Sequence, residues 1–267
     1  MDHLQGPDPR HALTSAFTKR NPAAPRGFFA CEAAGLAWLG AVDGGVACAR
    51  VLRYDHTSLT LRRIDSVPPT RESAREFGVR LAVTHDAGAA AFGAAPDHYS
   101  GPGFFGPLTQ PLPMSFSTHG SWGEFYAAER LTPMAEIAAP RLSADGRSAI
   151  DRAVKRCAAG DFDTDESPAR LHGDLWSGNV MWTVDGAVLI DPAAHGGHRE
   201  TDLAMLALFG FCHLADVFDG YQSVRQLSRG WQRRVGLHQL YPLLAHVVLF
   251  GGGYAQQAEA AASALTR

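Results

Sequence analysis

Hydrophobic and polar positions change their rhythm along this chain, and the change divides it into two unequal parts. Residues 11–19 (His-Ala-Leu-Thr-Ser-Ala-Phe-Thr-Lys) have strand composition, and Lys19-Arg-Asn-Pro-Ala-Ala-Pro-Arg is a turn-rich exit. Over residues 28–39 the spacing of Phe28, Cys31, Gly35 and Leu39 puts them near one face and predicts a helix. Two apolar runs, 46–54 and 59–64, flank Asp55-His-Thr-Ser and predict a hairpin. Pro68-Pro69 then punctuates the chain. Thr70 is placed to cap a helix in which Phe77, Leu81 and His85 recur at i, i+4 and i+8. Residues 87–113, rich in Gly and Pro, predict irregular backbone, and helical patterns resume over 121–137 and 149–157. After an acidic loop at 161–167 comes a second hairpin signal: Val180-Met-Trp and Ala187-Val-Leu-Ile around the turn dipeptide Asp185-Gly186. From Thr201 onward the pattern is almost wholly helical. The expectation is an α+β chain, with a small β-rich lobe over 1–66 and a larger, mostly helical lobe over 67–267.

Composition narrows the partners. With 267 residues and 46% hydrophobic content the chain can bury a substantial core. Its 24 basic and 27 acidic residues leave a net charge of −3, which argues against bulk binding to nucleic acid or anionic membrane. The four cysteines (Cys31, Cys48, Cys157, Cys212) form no CxxC pair and read as free thiols of a reducing compartment. The first residues are polar without an apolar leader, and the apolar run at 243–250 is short and contains His246. These features predict a cytoplasmic protein and fix no oligomeric state.

The chemistry is concentrated in His172-Gly173-Asp174-Leu175-Trp176-Ser177-Gly178-Asn179 and, after it, Val188-Leu189-Ile190-Asp191-Pro192. A carboxylate, an amide five residues on and a second carboxylate twelve beyond that have the spacing of a kinase's base and its two magnesium ligands. Asp174 is the candidate base that accepts the proton of an attacking hydroxyl. Asn179 and Asp191 offer hard oxygen ligands for Mg²⁺. His172 is expected to brace the loop. Asp191 is followed by Pro-Ala instead of Phe-Gly, so a mobile switch of the protein-kinase type is not expected. Lys19, thirteen residues before Glu32, is the candidate for holding the α- and β-phosphates of ATP through a Lys–Glu pair. The strand containing Leu61, Arg62 and Ile64 would lead to the adenine. Glu200 and Asp202 read first as helix N-terminal acids and second as braces of the catalytic loop. Trp122, Trp176, Phe104 and Phe105 read first as core and second as a stacking wall for substrate.

These strings resemble the fructosamine kinase (ketosamine-3-kinase) family. HGDLWSGN and DPAAHGGHRETDLAML are similar to its HGDLWxGN and DPAxxxGHxExxLA motifs. Phe17-Thr-Lys19, Glu32-Ala-Ala-Gly-Leu36, Gly106-Pro-Leu-Thr-Gln110, the Trp122–Leu131 segment, Gln239–His246 and Phe250-Gly-Gly-Gly-Tyr254 resemble further family segments. The resemblance implies a two-lobed, protein-kinase-like fold similar to aminoglycoside phosphotransferases. It also implies ATP- and Mg²⁺-dependent phosphorylation of the 3-hydroxyl of a small-molecule or protein-bound ketosamine, a deglycation step. Asp174 would then be the base, Asn179 and Asp191 the metal ligands, and Lys19 with Glu32 the phosphate clamp, with Trp176, Trp122, His198 and Glu200 as substrate contacts. Two departures stand out. The first ten residues are too few for the two strands and glycine turn that precede the family's Lys, and Arg62-Arg63 stands where relatives often carry Glu and an apolar residue. Alternatives are a small-molecule kinase of the aminoglycoside or choline type and a catalytically weak pseudokinase.

Overall fold

The computed structural model describes residues 16–265. Strand β1 (Ala16–Arg20) runs into a turn, and α1 (Phe28–Gly40) follows. The chain then lays down β2 (Ala47–Cys48), β3 (Val51–Tyr54) and β4 (Ser58–Arg62). β4 lies between β1 and β3 in an antiparallel sheet, with Lys19 opposite Leu59 and a register irregularity between Val51 and Arg53. Leu59 and Leu61 are buried with Phe29, Ala33 and Leu36 of α1, so the sheet and helix share one apolar layer. The part of the first predicted strand before Ala16 lies outside the described residues.

The apolar run 46–54 is not one strand. Ala47–Cys48 leaves its neighbours and pairs in parallel with a strand from the far half of the chain. α1 also departs from a simple one-faced helix. Most of its length is buried, because beyond the sheet it meets the segment after Asp191: a Cβ on Gly35 would lie 3.0 Å from that of Ala194.

Thr70 caps α2 (Arg71–Asp86) as the sequence predicts, in a reciprocal arrangement with Ser73. The Gly/Pro-rich stretch is not wholly irregular. β5 (Gly103–Phe105) and β6 (Leu112–Met114) form an antiparallel pair within it. Next come α3 (Trp122–Tyr126), a π-helical turn (Ala127–Leu131), α4 (Thr132–Ala138) and α5 (Ala144–Ala158), so the predicted single helix over 121–137 is interrupted in its middle. β7 (Ala169–Leu171) leads to the motif loop. β8 (Val180–Thr183) and β9 (Gly186–Leu189) form the predicted hairpin, with Gly186 at φ 116 in its turn. β2 adds to β9, and β10 (His195–Gly197) pairs with β7.

Helices α6 (Glu200–Leu208), α7 (Leu214–Val224), α8 (Trp231–Phe250) and α9 (Tyr254–Leu265) complete the chain. The largest core joins Leu240 and Leu244 of α8 to Phe125, Leu131 and Ile150; a second joins Phe77 and Leu81 to Leu175, Leu189 and Val217. Among the described residues no helix is long and apolar enough to cross a membrane, and the four cysteines are free.

Candidate active site

The loop after β7 is held by hydrogen bonds that leave little freedom. Gly173 has φ +82, and a Cβ there would overlap the carbonyl oxygen of Ala193, so the backbone requires glycine. The fully buried Asp202 accepts the backbone N–H of His172 at 2.8 Å and of Gly173 at 2.9 Å. His85 Nε2 lies 3.2 Å from the same carboxylate, and the Tyr221 hydroxyl lies 2.8 Å from His85 Nδ1. Burial opposes ionisation of Asp202, yet these hydrogen bonds and the neighbouring histidines outweigh it and hold the group below its ordinary range. The sequence ranked this acid first as a helix N-terminal charge and second as a brace of the loop; the hydrogen bonds to His172 and Gly173 favour the second reading.

His172 ties the two halves of the motif together. Its Nε2 donates to the Ile190 carbonyl at 2.9 Å, and its Nδ1 accepts from the Asp174 N–H at 3.2 Å. Burial lowers its pKa, consistent with a neutral ring locked in one tautomer. The Ile190 N–H donates to the Asn179 carbonyl at 3.1 Å, closing the open end of the hairpin and bringing Asn179 beside Asp191.

Asn179 Nδ2 donates to the backbone carbonyl of Asp174 at 2.8 Å and to its Oδ2 at 3.2 Å. Burial pushes the Asp174 carboxyl up to about 7; the Asn179 hydrogen bond works against that, and Asp191 and Asp202 add to it. Lys19 Nζ donates to Glu32 Oε1 at 2.7 Å and also to Asp191 Oδ1. Burial works against the ammonium, but Glu32 and Asp191 outweigh it, and Lys19 stays above its ordinary range. Asp191 itself sits at φ 54, an uncommon conformation for a residue with a Cβ.

Lys19, Glu32, Asp174, Asn179 and Asp191 therefore face one cavity of about 490 Å³, whose walls include Trp176, Phe104 and Phe105. A second cavity of about 430 Å³ shares Lys19 and Asp191 and is lined by Leu61, Arg62, Ile64, Met181 and Ile190. Trp122, His198 and Glu200 line neither. Trp122 packs on His238 at 4.6 Å and on His198 at 5.2 Å between ring centroids. Glu200 is in a two-point pair with Arg234 at 2.8 and 2.5 Å. The side chains of His198, Glu200 and His238 are near enough to share a cation, but Arg234 already compensates the carboxylate and opposes a further positive charge. All three predicted contacts are buried. Phe209, Phe250 and Tyr254 line the larger cavity with His246; the sequence matched Phe250–Tyr254 to a family segment but named none of the three rings as a site residue. All three stand at helix ends, where an aromatic residue carries no distinctive pattern.

The fructosamine kinase profile matches residues 9–267. The chain belongs to the fructosamine kinase family. A probable ketoamine kinase of Synechocystis sp. is 34% identical over 249 residues, which cover 91% of this chain and 80% of that one. A fructosamine-3-kinase candidate from Thermobifida fusca, solved by crystallography, is 44% identical and superimposes with a TM-score of 0.86 over 94% of this chain and 85% of its own. A choline/ethanolamine kinase family protein from Mesorhizobium loti, 15% identical, matches 95% of this chain and 82% of its own with a TM-score of 0.59, a likeness of fold alone. The fold is thus the two-lobed, protein-kinase-like one that the motifs imply, and the family is one of kinases acting on ketosamines.

Proposed function

We propose that this family member transfers the γ-phosphoryl group of ATP to the 3-hydroxyl of a ketosamine. The observation that carries the reading is the convergence of Asp174, Asn179, Asp191 and the Lys19–Glu32 pair on one cavity. Asp174 accepts the proton of the sugar hydroxyl while that oxygen bonds to phosphorus and the bridging bond to ADP breaks. Burial suits it to the task, because a carboxyl raised to about 7 is a stronger base than an exposed one. Asn179, whose Nδ2 holds Asp174, keeps its amide oxygen for a cation, and Asp191 adds a carboxylate, a donor set that fits Mg²⁺. Magnesium held there would neutralise charge on the phosphate oxygens. Lys19, positioned by Glu32, binds the α- and β-phosphates, and the cavity at Leu61, Arg62 and Ile64 takes the adenine. In this reading residues 1–66 form the nucleotide lobe and 67–267 the catalytic lobe.

A phosphate at C3 becomes an allylic leaving group once the ketosamine enolises toward C1. Its loss leaves an imine that hydrolyses and frees the amine, which is deglycation. Reliance on ATP and the free thiols fit a cytoplasmic setting. An aminoglycoside-type acceptor fits less well: Glu32, Asp174 and Asp191 are the acids among the described residues lining the larger cavity, few for a polycation. The test is ADP release with Mg-ATP against a panel of small ketosamines, with the phosphorylated carbon located by NMR. Asp174→Asn is expected to lower turnover about 10³-fold. Full rate in that variant would refute the assignment of the base.

A further inference from the structure

Helix α1 is held at three places along its length, in the manner of a lever. Gly35 is the fulcrum, pressed on the segment after Asp191: a Cβ there would lie 3.0 Å from that of Ala194 and 3.1 Å from Pro192 Cγ. On one side of it Glu32 meets Lys19 at 2.7 Å. On the other side Trp38 meets Arg170, which comes from β7. The Arg170 guanidinium lies 4.4 Å over the Trp38 ring, and its Nη1 donates to the Trp38 carbonyl at 2.8 Å. In a longer helix the Val42 N–H would take that carbonyl; here it donates to Leu39 at 3.4 Å. Arg170 Nε donates to the Gly88 carbonyl at 3.2 Å, just past the end of α2, and Asp97 stands 3.9 Å from Nη2. The strand that carries Arg170 runs directly into His172 and Asp174.

A cation at a helix C-terminus satisfies carbonyls that the helix leaves open and is favoured by the macrodipole. With 15% of its side chain exposed, Arg170 makes these bonds largely out of water, where they are strongest. A short helix tilts as a rod because its internal hydrogen bonds persist. Pinned at the fulcrum and at Trp38, α1 cannot tilt. Released at Trp38 it can, and Glu32 then moves the opposite way, off Lys19. The Lys19 ammonium already has a second partner in Asp191, so loss of Glu32 leaves it on the carboxylate assigned to the metal and not on phosphate.

We propose that Arg170 is a positioning residue for the nucleotide: by pinning the C-terminal end of α1 it holds Glu32 against Lys19 and keeps the phosphate clamp assembled before ATP arrives. The inference rests on the reading of Lys19 and Glu32 as that clamp and adds the residue that acts through it.

Calorimetric titration with Mg-ATP, in the absence of any acceptor, tests it. If tilting leaves the clamp assembled in about a tenth of the molecules, Arg170→Leu binds about tenfold more weakly than the wild-type chain. In a Glu32→Gln background the same substitution is expected to change affinity less than about twofold, because the group it acts through is gone. Arg170→Lys keeps the charge but cannot cap two carbonyls and cover the ring, and is expected to bind about threefold more weakly. A residue that serves stability alone would lower the melting temperature and leave these affinities in place. Wild-type affinity in folded Arg170→Leu overturns the inference, as does an undiminished loss in the Glu32→Gln background. Should the leucine variant not fold, wild-type affinity in Arg170→Lys overturns it. A wild-type chain that binds no Mg-ATP would instead sink the clamp reading itself, and this inference with it.

Discussion

Asp202 shows how one carboxylate can set the position of another without touching substrate. Its two oxygens take consecutive backbone amides of the loop that carries Asp174, and it is itself held by His85. In Asp202→Asn one acceptor oxygen becomes an NH₂ group that must face an amide donor. That change is expected to cost about 2 kcal/mol of stability, read from urea unfolding. Displacement of the loop is expected to lower kcat about 10- to 100-fold with little change in the KM for ATP. An unaltered kcat in a folded variant would show that the brace does not matter to catalysis. The octet from His172 to Asn179 stood out in the sequence because phosphoryl transfer, the proposed reaction, would dictate both residue types and spacing. Asp202 was ranked lower as a brace because an acid in the first turn of any helix produces the same pattern. His198 and Glu200 lie inside the second motif and Trp122 in a helical segment some 50 residues before the first, yet all three are buried, and nothing in their spacing distinguishes the two fates.

Elements were legible where their signals are local. Thr70 with its cap, the Asp185-Gly186 turn and the periodic helices needed only neighbouring residues. β2 escaped because its partner, β9, lies some 140 residues away along the chain and no local pattern announces that pairing. The crossing of α2 and α7 was equally hidden. Gly78 and Gly220 lie where the two backbones touch: a Cβ on Gly78 would overlap the Val217 carbonyl oxygen, and one on Gly220 would overlap that of Arg75. Gly in mid-helix ordinarily costs stability relative to Ala, so Gly→Ala in an exposed helix would stabilise. Here the sign reverses. Gly220→Ala is expected to destabilise the protein by about 3 kcal/mol, because only separation of the helices relieves an overlap with backbone. Thermal unfolding decides it, and a melting temperature equal to or above that of the wild-type chain would contradict the close approach.

At the scale of the whole molecule, the site's rigidity makes the fold sensitive to acid. His195 and His198 are buried, and burial, assisted by Arg130 for the first and His238 for the second, lowers each to about 3. In the unfolded chain each regains an ordinary value near 6.5. Between those limits the unfolded state binds protons that the folded state refuses, so stability falls as pH drops from about 6.5 toward 3. Each such histidine is expected to remove about 2 kcal/mol between pH 7 and pH 5. Glu166 and Glu200 act later. Burial opposes their ionisation, but hydrogen bonds from Arg199 and Ser228 to the first, and the adjacent His238 imidazole with two hydrogen bonds from Arg234 to the second, outweigh it and hold each at about 2. Their contribution is complete above about 4.5 and is lost as pH falls toward 2. Two phases of destabilisation are therefore expected, the histidines first and the glutamates below them. Urea unfolding at half-unit steps from pH 7.5 to 4 reads the first phase, and His198→Asn should lower its slope by about one proton. Stability that stays flat from pH 7 to 5 would mean that these imidazoles take up protons inside the fold, at odds with the dry packing of Trp122, His198 and His238.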